Sequence, residues 1–440
     1  MRRRMSTALM VALAIWTAAT IGCRNGGRAI PQPVVEGLGV APDQARVDLR
    51  LPTFSNPTSI TNPLFPISKQ ESVVFAGMLD GKPFRAEVTR LPYTRIVKWD
   101  GVEIEAAVSQ YVAYLDGRIA EAAIDLYAQA DDGSVWYLGE DVSDFKDGVI
   151  HSTEGTWHAG IDGPPAMIMP ATPKPGDTYR SENIPGIAFE EVTIKSIDQS
   201  FDGPFGLVRG GMVGTELHMD GATEDKRFAP GYGEFLTSEG SDVEALALAV
   251  PADRTTAAMP EALKRVTEGG RRIVDEAGAK DWTSTSAAVR ELVELWRQFP
   301  SNETPRLVGP QVTAALGALE KAVARRDVAE TRQAAIDVAR WSLDIQLRYR
   351  AATAIDLARL DLWAAELLLD AEANNAAAVK GDAFTMMYIR DRVIRSLDPT
   401  VARGINTLFG KLQPAASDEK LDAVARIARE LRQLLAPIVR

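Results

Sequence analysis

The sequence predicts an α+β protein in two segregated halves. An N-terminal antiparallel β meander, closing as a half-barrel, barrel or sandwich, is followed by an all-α helical bundle. Three observations predict it. Asp-Gly dipeptides recur at Asp80, Asp100, Asp116, Asp132, Asp147, Asp162, Asp202 and Asp220. Asp-Gly favours two-residue hairpin turns, because both central positions take positive φ. Strand-like runs such as ESVVFAGML, VEIEAAVSQYVAYL and SVWYLGE fill the intervals. Beyond Pro251 these runs stop, and Ala, Leu, Arg and Glu recur with helical spacing.

The boundaries follow in chain order. A length of 440 residues suits two or three domains. The composition, 46% hydrophobic and 25% charged, is that of a folded chain and not of a disordered one. The net charge of −11 argues against nucleic acid as a partner, since phosphate neutralisation needs basic patches. Residues 1–22 read as a signal peptide: Arg2, Arg3 and Arg4 precede a short apolar run from Met10 to Ile21. Cys23 follows the small residue Gly22, as in bacterial lipoprotein signals, although Thr20 departs from the usual aliphatic residue. Lipidation of Cys23 is therefore expected, with the protein exported and anchored in the cell envelope. Cleavage would remove three arginines and take the charge to −14, so the lipid, not surface charge, would hold the membrane. Cys23 is the sole cysteine, which excludes disulfides, thiolate metal sites and a cysteine nucleophile from the folded part.

Residues 23–66 are rich in Pro and Gly and read as a tether and lead-in whose last part, NPTSITNPLFPI, docks on the first domain. Residues 67–250 form the β domain. Its turns come at intervals of about 16 residues, which implies strands of about 8–12 residues. Residues 163–177, GPPAMIMPATPKPGD, read as a loop lying across the sheet.

The stretch from Asp125 to His158 concentrates aromatics and carboxylates. With Asp132-Gly133 as the two turn residues, Gln129 faces Trp136, Tyr127 faces Leu138 and Asp125 faces Glu140. Alternation then puts Asp125, Tyr127, Gln129, Trp136 and Glu140 on one face. Two directly opposed carboxylates destabilise a sheet unless solvent, a proton or a cation offsets them. The candidate ligand-binding set is Asp125, Tyr127, Gln129, Trp136, Glu140, Glu154, Trp157 and His158, an aromatic-walled cleft with a few polar groups. His151 and His158 point to opposite faces of a regular strand, and His218 is distant in sequence. No metal site and no cofactor is expected.

A string of motifs carries a resemblance over roughly residues 60–240. They are NPLFP at Asn62–Pro66, then Asp125–Asp141, Glu154–Gly160, Met169–Tyr179, and FAPGYGEF at Phe228–Phe235. In this order they resemble an uncharacterised family of exported bacterial proteins, many of them lipoproteins, with no established activity. The resemblance implies compartment and domain identity, not chemistry.

Residues 254–440 read as a helical bundle with helices near 260–277, 285–299, 306–326, 328–350, 354–374, 376–397, 399–413 and 418–436. Asp327 followed by Glu330 is a capping box, and Pro399 after Asp398 marks another start. Asp337, Asp344, Asp356, Arg359, Glu366, Asp370 and Arg392 read as Arg–carboxylate pairs within and between helices.

The expected function is an envelope-anchored lipoprotein. Its β domain binds a hydrophobic or glycan-like ligand or an envelope partner, and its helices provide a docking surface. No catalytic residue is assigned. The alternatives are a glycosidase-like hydrolase using Asp125 and Glu140, or a metal-binding envelope protein.

Overall fold

The computed structural model describes residues 28–32 and 37–439; the expected signal peptide and Cys23 lie outside the described residues. The chain enters through two short paired strands, β1 (Arg28–Ala29) and β2 (Arg50–Leu51). The first limb of the main sheet is β3 (Ser72–Leu79), β4 (Lys82–Trp99), β5 (Val102–Leu115), β6 (Arg118–Gln129) and β7 (Val135–Lys146). Short strands β8 (Val149–Ser152), β9 (Trp157–His158) and β10 (Ala166–Met169) all pair with β7. The second limb is β11 (Thr178–Ile184), β12 (Ala188–Gly203), β13 (Gly206–His218), β14 (Thr223–Ala229), β15 (Gly233–Glu239) and β16 (Asp242–Val250).

All main-sheet pairings are antiparallel, in the order β10-β7-β6-β5-β4-β3-β16-β15-β14-β13-β12-β11. Each limb is a meander, and the first and last strands join them: Ser72 pairs with Val250 and Met78 with Val243. The outermost strands, β10 and β11, are consecutive in the chain and pack against each other without a shared ladder. Both limbs contribute to the lining of one cavity, so the sheet curls into a barrel.

The local chemistry accounts for the meander. Asp80-Gly81, Asp100-Gly101, Asp116-Gly117 and Asp147-Gly148 each have two positive-φ residues, the tight hairpin geometry the dipeptide favours. The strands exceed the expected length, reaching 18 residues in β4 and 16 in β12. Irregularities of register interrupt the β4–β5 and β12–β13 ladders, and such interruptions let a long strand bend around a barrel. Part of the expected crossing loop, residues 166–169, is strand β10 at the sheet edge.

The lead-in docks through hydrogen bonds to the β6–β7 hairpin. Gln129 N donates to Pro57 O, and Thr61 N and Asn62 N both donate to Gln129 Oε1 at 2.7 and 2.8 Å. Asn62 Nδ2 reaches Gly133 O and Pro170 O, and the Phe65 ring packs edge-on against Tyr127 at 5.0 Å.

Eight helices follow: α1 (Glu261–Gly278), α2 (Trp282–Arg297), α3 (Val308–Arg325), α4 (Val328–Gln346), α5 (Ala352–Glu372), α6 (Ala376–Val393), α7 (Pro399–Ser417) and α8 (Leu421–Leu435). Asp327 caps α4 through Glu330 N, and Asp398 caps α7 ahead of Pro399. The cap of α2 is Asp281, which accepts from Ser284 N.

The helices cover the outer face of the first limb. Val74, Ala76, Leu248 and Val250 share a core with α1–α5. Val112, Tyr114, Ile119 and Ala122 share one with α5–α8. Ions lie buried in this seam. Glu87 of β4 meets Arg85, Arg359 and Arg392; Asp344 meets Arg85 and Arg359; Asp356 meets Arg359 and Arg392. Three guanidiniums face three carboxylates, so the cluster is neutral, which is what buried charge requires. A neighbouring cluster is not balanced. Arg118 and Arg340 meet Asp337, Glu366, Asp370 and Asp382. Burial pushes Asp337 up to about 6, and burial with Glu366 and Asp370 nearby holds Asp382 well above the carboxylate range. Both shifts favour the protonated form, which lowers the excess of negative charge. The Arg–carboxylate pairs expected within the bundle are present, and β4 and β6 supply the rest of each cluster.

Candidate functional site

The β6–β7 hairpin differs from the expected register in two compensating ways. Its loop has three residues, Asp131–Gly133: Ala130 N donates to Ser134 O, and Gly133 alone takes positive φ. The extra loop residue moves every pairing near the turn by one, so Gln129 faces Val135, Ala128 faces Trp136 and Tyr127 faces Tyr137. A bulge at Leu138-Gly139 then restores the register, and Asp125 faces Glu140 as expected. Gly139 has φ +133°, and a Cβ there would sit 2.5 Å from Trp157 O, so both backbone and space demand glycine.

The consequence is an exchange of residues between faces. Tyr137, not Trp136, shares the face of Asp125, Tyr127 and Glu140. The Tyr137 hydroxyl donates to Asp125 Oδ1 at 2.8 Å, and its ring stacks on Tyr127 at 4.7 Å. Trp136 is buried on the opposite face, its Nε1 donating to Ser134 Oγ. Gln129 is occupied in binding the lead-in. Trp157 pairs with Glu140, packs edge-on against Tyr137 at 5.3 Å and donates to Glu182 Oε1 at 3.2 Å. It stands just behind the wall. Glu154 is exposed and outside the cavity lining. His158, next to Trp157, points the other way, with Nε2 3.1 Å from Asp141 Oδ1. Of the eight expected residues, Asp125, Tyr127 and Glu140 line the cavity directly.

That cavity has a volume of about 260 Å³. Glu121, Asp125, Glu140, Glu216, Glu224, Glu234 and Glu244 line it, with Lys226 as the single lysine. Phe65, Phe75, Tyr127, Tyr179, Phe228 and Tyr232 supply rings. The wall divides into two polar regions. Around β12–β14, Lys226 Nζ lies 2.5 Å from Glu216 Oε2, and the His218 nitrogens lie 3.3 Å from Glu190 and 3.4 Å from Glu224. Burial would lower His218, but its hydrogen bonds to Glu190 and Glu224 push it up to about 10. Burial raises Glu190, but Lys226 and His218 outweigh it and hold Glu190 at about 2. Burial and Glu190 push Glu216 up to about 8.

Around β6, β7 and β11 the carboxylates have no such cations. Burial pushes Asp125 up to about 7, with Glu121 and Glu182 adding to it and the Tyr137 hydrogen bond opposing. Burial pushes Glu140 up to about 8, and Glu140 shares a hydrogen bond with Glu182. Glu182 is held well above the carboxylate range by burial, Glu190 and Glu140. Among the described residues, no Arg, Lys or His forms an ion pair with Asp125, Glu140 or Glu182. Tyr179 is 1% exposed and lines the cavity, and its hydroxyl has no hydrogen-bond partner.

Glu190, Glu216 and His218 lie close enough to hold a metal ion. Both His218 nitrogens are directed at carboxylates, and the Lys226 ammonium already sits on Glu216. The donor set is thus satisfied as an ion cluster. Sequence reasoning missed this second region, although a signal was there: in TELH and EDKRF, Glu216 and His218, and Glu224, Lys226 and Phe228, alternate at the period of a strand.

The fold and site define a class: a curled antiparallel barrel with an acidic, ring-lined interior, braced on its outer face by a helical bundle. Comparison with family models, with curated proteins and with solved structures finds no match.

Proposed function

We propose that the chain is an envelope-anchored binding protein whose barrel encloses a small ligand without transforming it. The observation that carries this reading is the partly open cavity, with rings and polar groups converging on it from both limbs. The anchor rests on the signal-like N-terminus and Cys23. The helices serve the barrel as a brace, since α4, α5 and α6 supply the ions that neutralise its outer face.

Hydrolysis by Asp125 and Glu140 is less well supported. A retaining glycosidase needs one carboxylate ionised as nucleophile beside a protonated acid. Here burial pushes both partners to about 7 and about 8, and Glu182 beside them is higher still.

Native mass spectrometry of the full-length chain purified from envelope extract tests the reading. A bound small molecule is expected, and Ala123→Phe, which projects a ring into the cavity, should expel it. A ligand-free protein, or one whose ligand survives Ala123→Phe, would refute enclosure. For the anchor, Cys23→Ser should move the protein from the membrane fraction to the soluble fraction.

A further inference from the structure

Building on the reading of the barrel as a binding protein, we propose that the cavity takes a small organic cation. Its ammonium would sit on the Asp125 and Glu140 carboxylates, and its apolar body on the surrounding rings. The charge pattern points there first. Where β12–β14 bring acids together, His218 and Lys226 meet them. Where β6, β7 and β11 bring Asp125, Glu140 and Glu182 together, shared protons and the Tyr137 hydroxyl stand in for a cation.

The rings point the same way. Tyr127 and Tyr137 stack beside Asp125, and ring faces attract an ammonium within about 6 Å. Phe75 and Phe228 line the same cavity and offer an apolar surface to the rest of the molecule. Tyr179 lines the same cavity, and its hydroxyl, closed off from solvent, has no hydrogen-bond partner.

Other occupants fit less well. A bare divalent ion would use the carboxylates but leave the ring-lined part of the cavity unfilled. An anion would meet an excess of carboxylates. A purely apolar ligand would leave those carboxylates dry and unpaired. The proton balance follows from the geometry. When an ammonium settles on the acids, the protons they share pass to solvent, and the carboxylates remain as the ligand's counter-ions.

The test uses benzylamine, benzyl alcohol and benzoate, one ring carrying positive, neutral or negative charge, titrated calorimetrically into the full-length chain at pH 7. Benzylamine should bind at least about tenfold more tightly than the other two, as a charged hydrogen bond implies. Repeating the titration in buffers of different ionisation enthalpy should show proton release. Asp125→Asn and Glu140→Gln should each weaken benzylamine about tenfold or more in protein whose circular dichroism is unchanged. If neither variant folds, proton release by the unaltered chain decides, and its absence overturns the inference. Equal binding of the alcohol or the benzoate overturns the cation but leaves the enclosed-ligand reading standing. If none of the three binds, the cation inference falls, and native mass spectrometry decides the enclosed-ligand reading separately.

Discussion

Asp125→Asn should make the ligand-free protein more stable at pH 8, although it removes a buried hydrogen-bonding acid. The Asp125 carboxyl is buried and has the ordinary value 3.8 when unfolded, and about 7 when folded, chiefly because burial penalises its ionised form. A folded pKa above the unfolded one means that stability is fully present below about pH 4. It is lost as pH rises, because the unfolded chain releases its proton first, and the loss is complete above about pH 7. At about 1.4 kcal/mol per tenfold change in proton affinity, the displacement corresponds to about 4 kcal/mol as a ceiling. Asparagine is neutral at every pH and can still accept from the Tyr137 hydroxyl, so it escapes the penalty and keeps the bond. The assay is urea unfolding of both proteins at pH 5 and pH 8, followed by tryptophan fluorescence. The difference in stability between variant and parent should be larger at pH 8 than at pH 5 by about 2–4 kcal/mol. A variant equally or less stable than the parent at pH 8 would show that Asp125 ionises at no cost. The case for a missing cation beside it would then collapse.

Glu87→Gln should cost about 3–5 kcal/mol by urea unfolding, because it leaves three buried guanidiniums facing two carboxylates. Adding Arg392→Met restores the balance, and the double variant should recover part of that loss; a double variant no better than Glu87→Gln would refute the charge-balance argument. Gly139→Ala should lose about 1–3 kcal/mol from a strained φ and the approach to Trp157 O. Hydrogen exchange should quicken along β7 and β9, and unchanged exchange would place the bulge elsewhere. Tyr137→Phe removes the donor that holds Asp125 down, so the Asp125 carboxyl, followed by carbon NMR, should titrate at a higher pH than in the parent.

The architecture was legible because its signals are local. Asp-Gly needs two positive-φ residues wherever it makes a two-residue turn, and four such turns form as read. Helical periodicity and caps such as Asp327 mark the bundle without reference to anything distant. The site was legible only in part, because which face a residue occupies depends on every residue between it and the turn. One additional loop residue sent Trp136 to the far face and brought Tyr137 inward. Asp125 opposite Glu140 survived because the Gly139 bulge cancelled the shift, and nothing in the dipeptide Leu138-Gly139 announces a bulge over an ordinary strand glycine. The meeting of Glu182, Glu190 and His218 with the hairpin was out of reach for another reason. They come from the second limb, and only the curl of the sheet brings them to the hairpin.

The pairing of β3 with β16 also dictates an order of events. The barrel cannot close until Val250 has been made and has found Ser72, so every strand between them waits on a contact between the two ends of the domain. Even then the outer face of β4 is unfinished, because the Arg85–Glu87 pair finds its remaining counter-ions only in α4, α5 and α6. A chain halted shortly after residue 250 would leave the apolar residues Val74, Ala76 and Leu248 uncovered, a surface suited to aggregation. The last helices thus act on the first strands. If the chain is exported N-terminus first, as proposed, the barrel matures only after α6 has arrived.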